Sequence, residues 1–402
     1  PGGGGAEARA AASPLETHVW ASRNHTSKRR GEPGFIHNRA AMTEAHHWAQ
    51  LTMREGARVA VTVAFRDGRA IEAFDVRPRG RVEASLAPDG RSLTFDLERA
   101  QDQLAFLLNG DRNEPLFVFS GPYETPPDRA SVAHYFGPGF HRLPPLDGPD
   151  LDEPALRGEP GLILREGEEA YLAGGAVVAG LIRAMASNVR VRGYGMLIGA
   201  GPVIHGKTGL PFNALNLGKR GHENNVLEGI AIVNPRHFGA CLFSRDSRIS
   251  GAKFFGWEWN TDGGVVGENG VIEDCFFKVM DDNVKLYYSG ARVRRNVFWQ
   301  QVNGAVFQLS WEGVIRVRDV EANDNVVIAS DAAALKSDQT NKAIVSGVDL
   351  VGDSFRDIRI VNLRVESGVS RLLALDFLDG QMSGTKKGGA VEGLLLRNIA
   401  IE

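Results

Sequence analysis

Asp262, Asp281 and Asp282 are the residues of this chain whose type and spacing best fit chemistry. Asp262 belongs to Asn260–Thr261–Asp262–Gly263, and the doublet begins nineteen residues later. Cleaving a glycosidic bond takes one carboxyl that donates a proton and another that activates water or attacks the sugar. Crowded acids also raise one another's proton affinity, which holds at least one of them protonated near neutral pH. Taken singly, each aspartate reads as a turn former. Their joint spacing, with aromatics alongside, makes the cluster a candidate centre.

Sugar rings stack on aromatic faces, and polar groups beside those faces fix their orientation. Trp257, Trp259, Tyr287, Tyr288 and Trp311 are the candidate platforms, while Trp299 reads as core. Asn260, Asn283, Lys285 and Gln308 are candidates for hydrogen bonds to hydroxyls, with a stacking ladder inside the fold as the other reading of Asn283. His205, His222 and His237 lack zinc-type spacing, so no metal and no cofactor is expected. A Ser-His-Asp triad finds no support, because no histidine follows His237.

Something must bring Asp262 beside the doublet. Short apolar strands recur about every 21 to 24 residues, as at Ala252–Gly256, Asp274–Lys278 and Arg295–Trp299. A fixed period of that length signals a solenoid. The Leu-x-x-Leu-x-Leu pattern of leucine-rich repeats is missing, which leaves a right-handed parallel β-helix. Strands of successive coils pair at about 4.8 Å, so Asp262 is expected almost directly beneath Asp281 and Asp282, with carboxylates roughly 5–7 Å apart. That range admits both an inverting pair (~6.5–9.5 Å) and a retaining pair (~5–5.5 Å).

Upstream the texture differs. Val59–Phe65, Val82–Leu86, Leu93–Leu97, Leu104–Leu108 and Leu116–Phe119 are short strands, with Asp67–Gly68 and Asp89–Gly90 as hairpin signals. These predict a β-sandwich; Thr43–Arg54 reads as a short helix. The expected organisation is all-β: a disordered leader over 1–14, a β-sandwich over 15–123, a Pro/Gly-rich connector over 124–160 and a parallel β-helix catalytic domain over 161–402.

The 402 residues include 48 glycines, about 12% against a usual ~7%, as suits many tight turns. A net charge of −3 gives no support for nucleic acid or an anionic membrane as partner. No apolar run reaches the ~20 residues of a membrane helix. Cys241 and Cys275 read as buried small hydrophobes. The expected partner is a polysaccharide or oligosaccharide met outside the cytoplasm, in a secreted or periplasmic setting, although no signal-type apolar run is visible.

Asn260–Gly263, Val279–Met280–Asp281–Asp282–Asn283–Val284–Lys285–Leu286–Tyr287–Tyr288–Ser289–Gly290 and Gln308–Leu309–Ser310–Trp311 together resemble the core of family 49 glycoside hydrolases, the dextranase and isopullulanase group. Met280 stands where that family has Asn. The resemblance extends from the first module through Tyr135–Gly139 and Tyr171–Ala176 to about Ser330. It implies a β-sandwich joined to a right-handed β-helix and inverting hydrolysis of an α-glucan such as dextran or pullulan. It also implies Asp281 as general acid, with Asp262 and Asp282 holding the water. Family 28 polygalacturonases share the aspartates more distantly but carry a downstream Gly-His-Gly, which this chain lacks. A β-helix lyase using Lys285 as base and a non-catalytic glycan-binding solenoid are the alternatives.

Overall fold

The computed structural model describes residues 46–147, 156–199, 213–257, 260–311, 316–332, 341–348, 350, 354–377 and 389–402, with the backbone of short strands at 11–12, 16–19, 26–27, 35–36 and 43–45. Two compact units divide after Glu124. Among the described residues the single helix is a 3-10 turn at Arg129–Ser131, and no helix is long and apolar enough to cross a membrane.

In the first unit, Thr43–Met53, Leu116–Pro122, Gln103–Leu108 and Phe74–Arg77 lie side by side in one sheet, and Val59–Val63, Leu93–Leu97 and Ala84–Leu86 form a second. Leu93, Phe95 and Leu97 of the smaller sheet share a core with Leu104, Phe106 and Val118 of the larger. This is the expected sandwich. Asp89–Gly90 lies between the paired strands Ala84–Leu86 and Leu93–Leu97, as a hairpin signal should. Asp67–Gly68 turns the chain but closes no hairpin, because the strand that follows it, Phe74–Arg77, pairs in the other sheet. Thr43–Arg54 is no helix. Thr43–Met53 is a strand held in parallel register against Leu116–Pro122, and that pairing overrides a local composition acceptable to a helix. Ala11–Ala12, within the expected leader, pairs with Ala49–Gln50; the rest of 1–14 lies outside the described residues.

The second unit is a right-handed parallel β-helix. Its rungs begin inside the expected connector, since His134–Phe136 and Gly139–Arg142 pair with Glu169–Leu172 and Ala176–Ala179. Each central coil contributes three strands, for example Val271–Glu273, Phe276–Lys278 and Val284–Lys285. The first two meet at one residue in the left-handed region: Gly251, Asp274, Arg295 and Asp324 on successive coils. Gly, Asp and Asn tolerate that conformation best, so the corner costs little at most rungs. Beside it, the buried Asn296 and Asn325 side chains bond neighbouring backbone and each other.

Apolar side chains stack in register along the axis. Phe254, Phe277 and Phe298 occupy one position on three coils, with ring centroids 4.7 and 5.1 Å apart and planes within 14° of parallel. Phe277 therefore has an aromatic partner on both sides. Phe277→Ala should cost about 3–5 kcal/mol, read as a fall in the urea midpoint with an unchanged slope. Cys241 and Cys275 are free and buried, as expected.

Candidate active site

The longer corner, between the second and third strands, carries the three aspartates. Asp262 precedes Gly264–Val266, while Asp281 and Asp282 precede Val284–Lys285. Neither doublet residue lies in a strand, so strand alternation does not force their side chains to opposite faces. The ladder pairs Gly264 with Val284, which sets Asp262 over Asp282 rather than Asp281, and the position over Asp281 belongs to Thr261. Gly263 N–H donates to the Asp282 carbonyl at 2.8 Å and fixes this register. That contact also explains the glycine of the motif: a Cβ on Gly263 would lie 2.2 Å from the Asn283 carbonyl oxygen.

One oxygen of each carboxylate lies within 4.8 Å of one from each of the others. That is tighter than rung spacing suggests, and Lys285 supplies the reason. Its Nζ lies 2.6 Å from Asp262 Oδ2 and 2.7 Å from Asp282 Oδ2, drawing the two together. The same ammonium sits 4.8 Å from the Phe238 ring centroid and 5.5 Å from that of Tyr287. Such convergence of carboxylates could chelate a cation, but here a lysine stands between two of them.

Asp281 is held by neutral donors instead. Asn303 Nδ2 donates to its Oδ2 at 2.9 Å, and the Asp282 N–H donates to its Oδ1 at 3.0 Å. Asp282 Oδ1 accepts from Ala305 N–H and Asn341 Nδ2, each at 3.0 Å. Gln308 Nε2 donates to Asn341 Oδ1 at 2.6 Å, so it acts on Asp282 through that amide.

Burial raises the proton affinity of two of the acids. Burial, reinforced by the charge of Asp282, pushes Asp281 up to about 7, against the pull of Lys285 and of the Asp282 and Asn260 N–H groups. Burial also lifts Asp262 well above the carboxylate range, with Lys285 pulling it back. Burial alone would lower Lys285, but Asp262 and Asp282 outweigh it and hold the ammonium charged far above the ordinary lysine value. An ammonium so held is a poor proton acceptor, which counts against Lys285 as the base of a lyase.

The other sequence candidates divide. Asn283 is fully buried, and its Nδ2 points to the Asp281 and Ala305 carbonyls, so it braces the corner. Asn260 is exposed at the corner, in the left-handed conformation. Trp257 is buried, while Tyr287 and Tyr288 are half-buried, with Tyr288 against Phe243. Trp299 is buried, as expected of core. Trp259 lies outside the described residues, and Trp311 ends the strand Phe307–Trp311 opposite Val348.

Sequence reasoning missed Asn303, Asn341 and Phe238. Asn303 was findable, because it follows Asp281 by 22 residues, one coil further on. Asn341 was not, because it lies 59 residues beyond Asp282.

The fold and corner define a β-helix protein with a buried cluster of three carboxylates and one lysine. No family model matches the chain. The dextranase of Talaromyces minioluteus is 32% identical over 161 residues, 35% of this chain and 26% of that protein. The dextranase of Arthrobacter globiformis is 27% identical over 164 residues, again 35% and 26%. The chain thus matches about a quarter of the length of either relative. Dex49A from Penicillium minioluteum superposes with a TM-score of 0.64 at 18% identity, over 90% of this chain and 78% of that one, a likeness of fold. In sequence the chain is similar to dextranases.

Proposed function

We propose that this chain is a glycoside hydrolase that cleaves a polysaccharide, an α-glucan such as dextran, with inversion at the anomeric carbon. The observation that carries the reading is the division within the cluster: two carboxylates share an ammonium, and a third, held by neutral donors, is poised to carry a proton near neutral pH. Asp281 gives its proton to the glycosidic oxygen as the bond to the anomeric carbon breaks. A water held by Asp262 and Asp282 attacks that carbon from the other face and passes its proton to one of them. Solvent then restores the proton on Asp281 and removes the one gained. Charge shared with Lys285 makes the pair poor nucleophiles, which favours water as the attacking group.

Asp281 is also the most accessible of the three, at 9% against 4% and 3%, as suits the acid that must reach the leaving oxygen. The similarity to dextranases supports an α-glucan as substrate. A polymer of that size is met outside the cytoplasmic membrane, so the enzyme is secreted or periplasmic. A reducing-sugar screen across α-glucans, fructans, arabinans, galactans and pectins tests the reading, with proton NMR of the first product. Reducing ends from an α-glucan, with the β-anomer appearing first, are expected. A first-formed α-anomer would overturn inversion, and binding with no release across the panel would overturn the hydrolase.

A further inference from the structure

The sequence suggests Lys285 as a contact for sugar hydroxyls, yet its ammonium is taken up by two of the three acids. We propose that Lys285 is a positioning residue that decides where the protons of the cluster sit. By bonding Asp262 and Asp282 but not Asp281, it favours negative charge on the first two, opposing the burial that lifts Asp262, and leaves the third without a cation of its own. This rests on the reading of Asp281 as proton donor and deepens it.

The geometry is specific. Lys285 leaves the strand Val284–Lys285 and reaches Asp262 on the preceding coil and Asp282 on its own corner. Phe238, one coil below Asp262, offers its ring to the ammonium at 4.8 Å, a cation–π contact that needs a positive charge. The charged or titratable groups facing Lys285 are Asp262, Asp281, Asp282, Tyr287 and Cys241. Burial lifts the Cys241 thiol to about 12 and raises the Tyr287 phenol, so both stay neutral where the acids titrate. Gln308, beside Lys285 on the next coil, carries no charge. Arg183 also acts on Cys241, but Lys285 is the cation bonded to the acids, and without it that charge is lost where three buried carboxylates converge.

Lys285→Met and Lys285→Gln remove the charge; Lys285→Arg keeps it. On a glucan that the wild type cleaves, both neutral variants should lose about 100-fold or more in kcat with KM changed less than about threefold. The acid limb of the rate profile should move up by at least about one pH unit, because the water-holding carboxylates now protonate more readily. Lys285→Arg should return the limb towards the wild-type position. A raised KM with an unmoved profile would make Lys285 a sugar contact and overturn the proposal.

Melting temperature against pH reads the same charge without any substrate. Asp262 and Asp281 already hold protons more tightly than the unfolded chain does, and removing Lys285 raises the affinity of the folded acids further, so more stability is lost as pH rises. The deficit of each neutral variant against wild type should widen from pH 5 to pH 8, and parallel curves would overturn the proposal. If Asp281→Asn keeps wild-type turnover, the reading of Asp281 as proton donor fails, whereas the melting curves still report on Lys285.

Discussion

Asp281→Asn is expected to lower kcat by between about 10²- and 10⁴-fold, the range spanned by loss of a general acid, with KM little changed. The amide matches the carboxyl in shape and keeps an oxygen for the Asp282 N–H, which donates to Oδ1 at 3.0 Å. Asn303 can turn its own amide to present oxygen to the new NH₂ in place of the 2.9 Å bond it now donates. What is lost is the transferable proton. In the wild type, activity should fall on the alkaline side as Asp281, pushed up to about 7 by burial, gives up that proton.

The same shift makes a prediction about stability. The folded protein holds the Asp281 proton more tightly than the unfolded chain, whose aspartates titrate at about 4. The stabilisation from this carboxyl is therefore complete below about pH 4 and is lost as pH rises towards 7. The amide of the Asp281→Asn variant has no such proton to lose. The variant should melt above the wild type at pH 8, and the gap should narrow through pH 5 and close near pH 4. Calorimetry across that range, beside single-turnover rates, separates a lost acid from a damaged fold. A variant that turns over at the wild-type rate would remove Asp281 from the chemistry.

The solenoid was legible because its cause is local and repeats. The same apolar position recurs at Phe254, Phe277 and Phe298, and each repeat must bury that face on its neighbour. Thr43–Met53 misleads for the opposite reason: its state is set by pairing with Leu116–Pro122, more than 60 residues away. The site was legible as a set of aspartates and illegible as a circuit. Spacing places carboxylates on neighbouring rungs but does not say that a coil of twenty residues sets Asp262 over Asp282, leaving Thr261 over Asp281. Nor does it say which cation they share. Lys285 looks like any polar residue of a cleft until its side chain is traced to Asp262 and Asp282. Asn341 reaches Asp282 across a long insertion, where periodicity carries no information.

The other large effect concerns a residue with no side chain. Gly304→Ala should cut kcat by about 100-fold or more and lower stability by about 1–3 kcal/mol. Gly304 has a φ of +82°, in the region that disfavours side chains, and a Cβ there would lie 2.1 Å from the Asp281 carbonyl carbon and 2.5 Å from the Asp282 nitrogen. Both obstacles are backbone, so no rotamer change relieves them. Its neighbours grip the acids: Asn303 bonds Asp281, and the Ala305 N–H bonds Asp282. Whatever shift admits the methyl must move one of those grips, and displacement of the order of 1 Å at a reacting group is enough for such a loss. Gly174 is the control, because a Cβ there meets nothing within 4 Å and its backbone is not left-handed. Gly174→Ala should leave both rate and melting temperature unchanged. If Gly304→Ala lost stability but kept its rate, the corner would be bracing the fold without placing the acids, and the coupling drawn from Asn303 and Ala305 to the chemistry would be wrong.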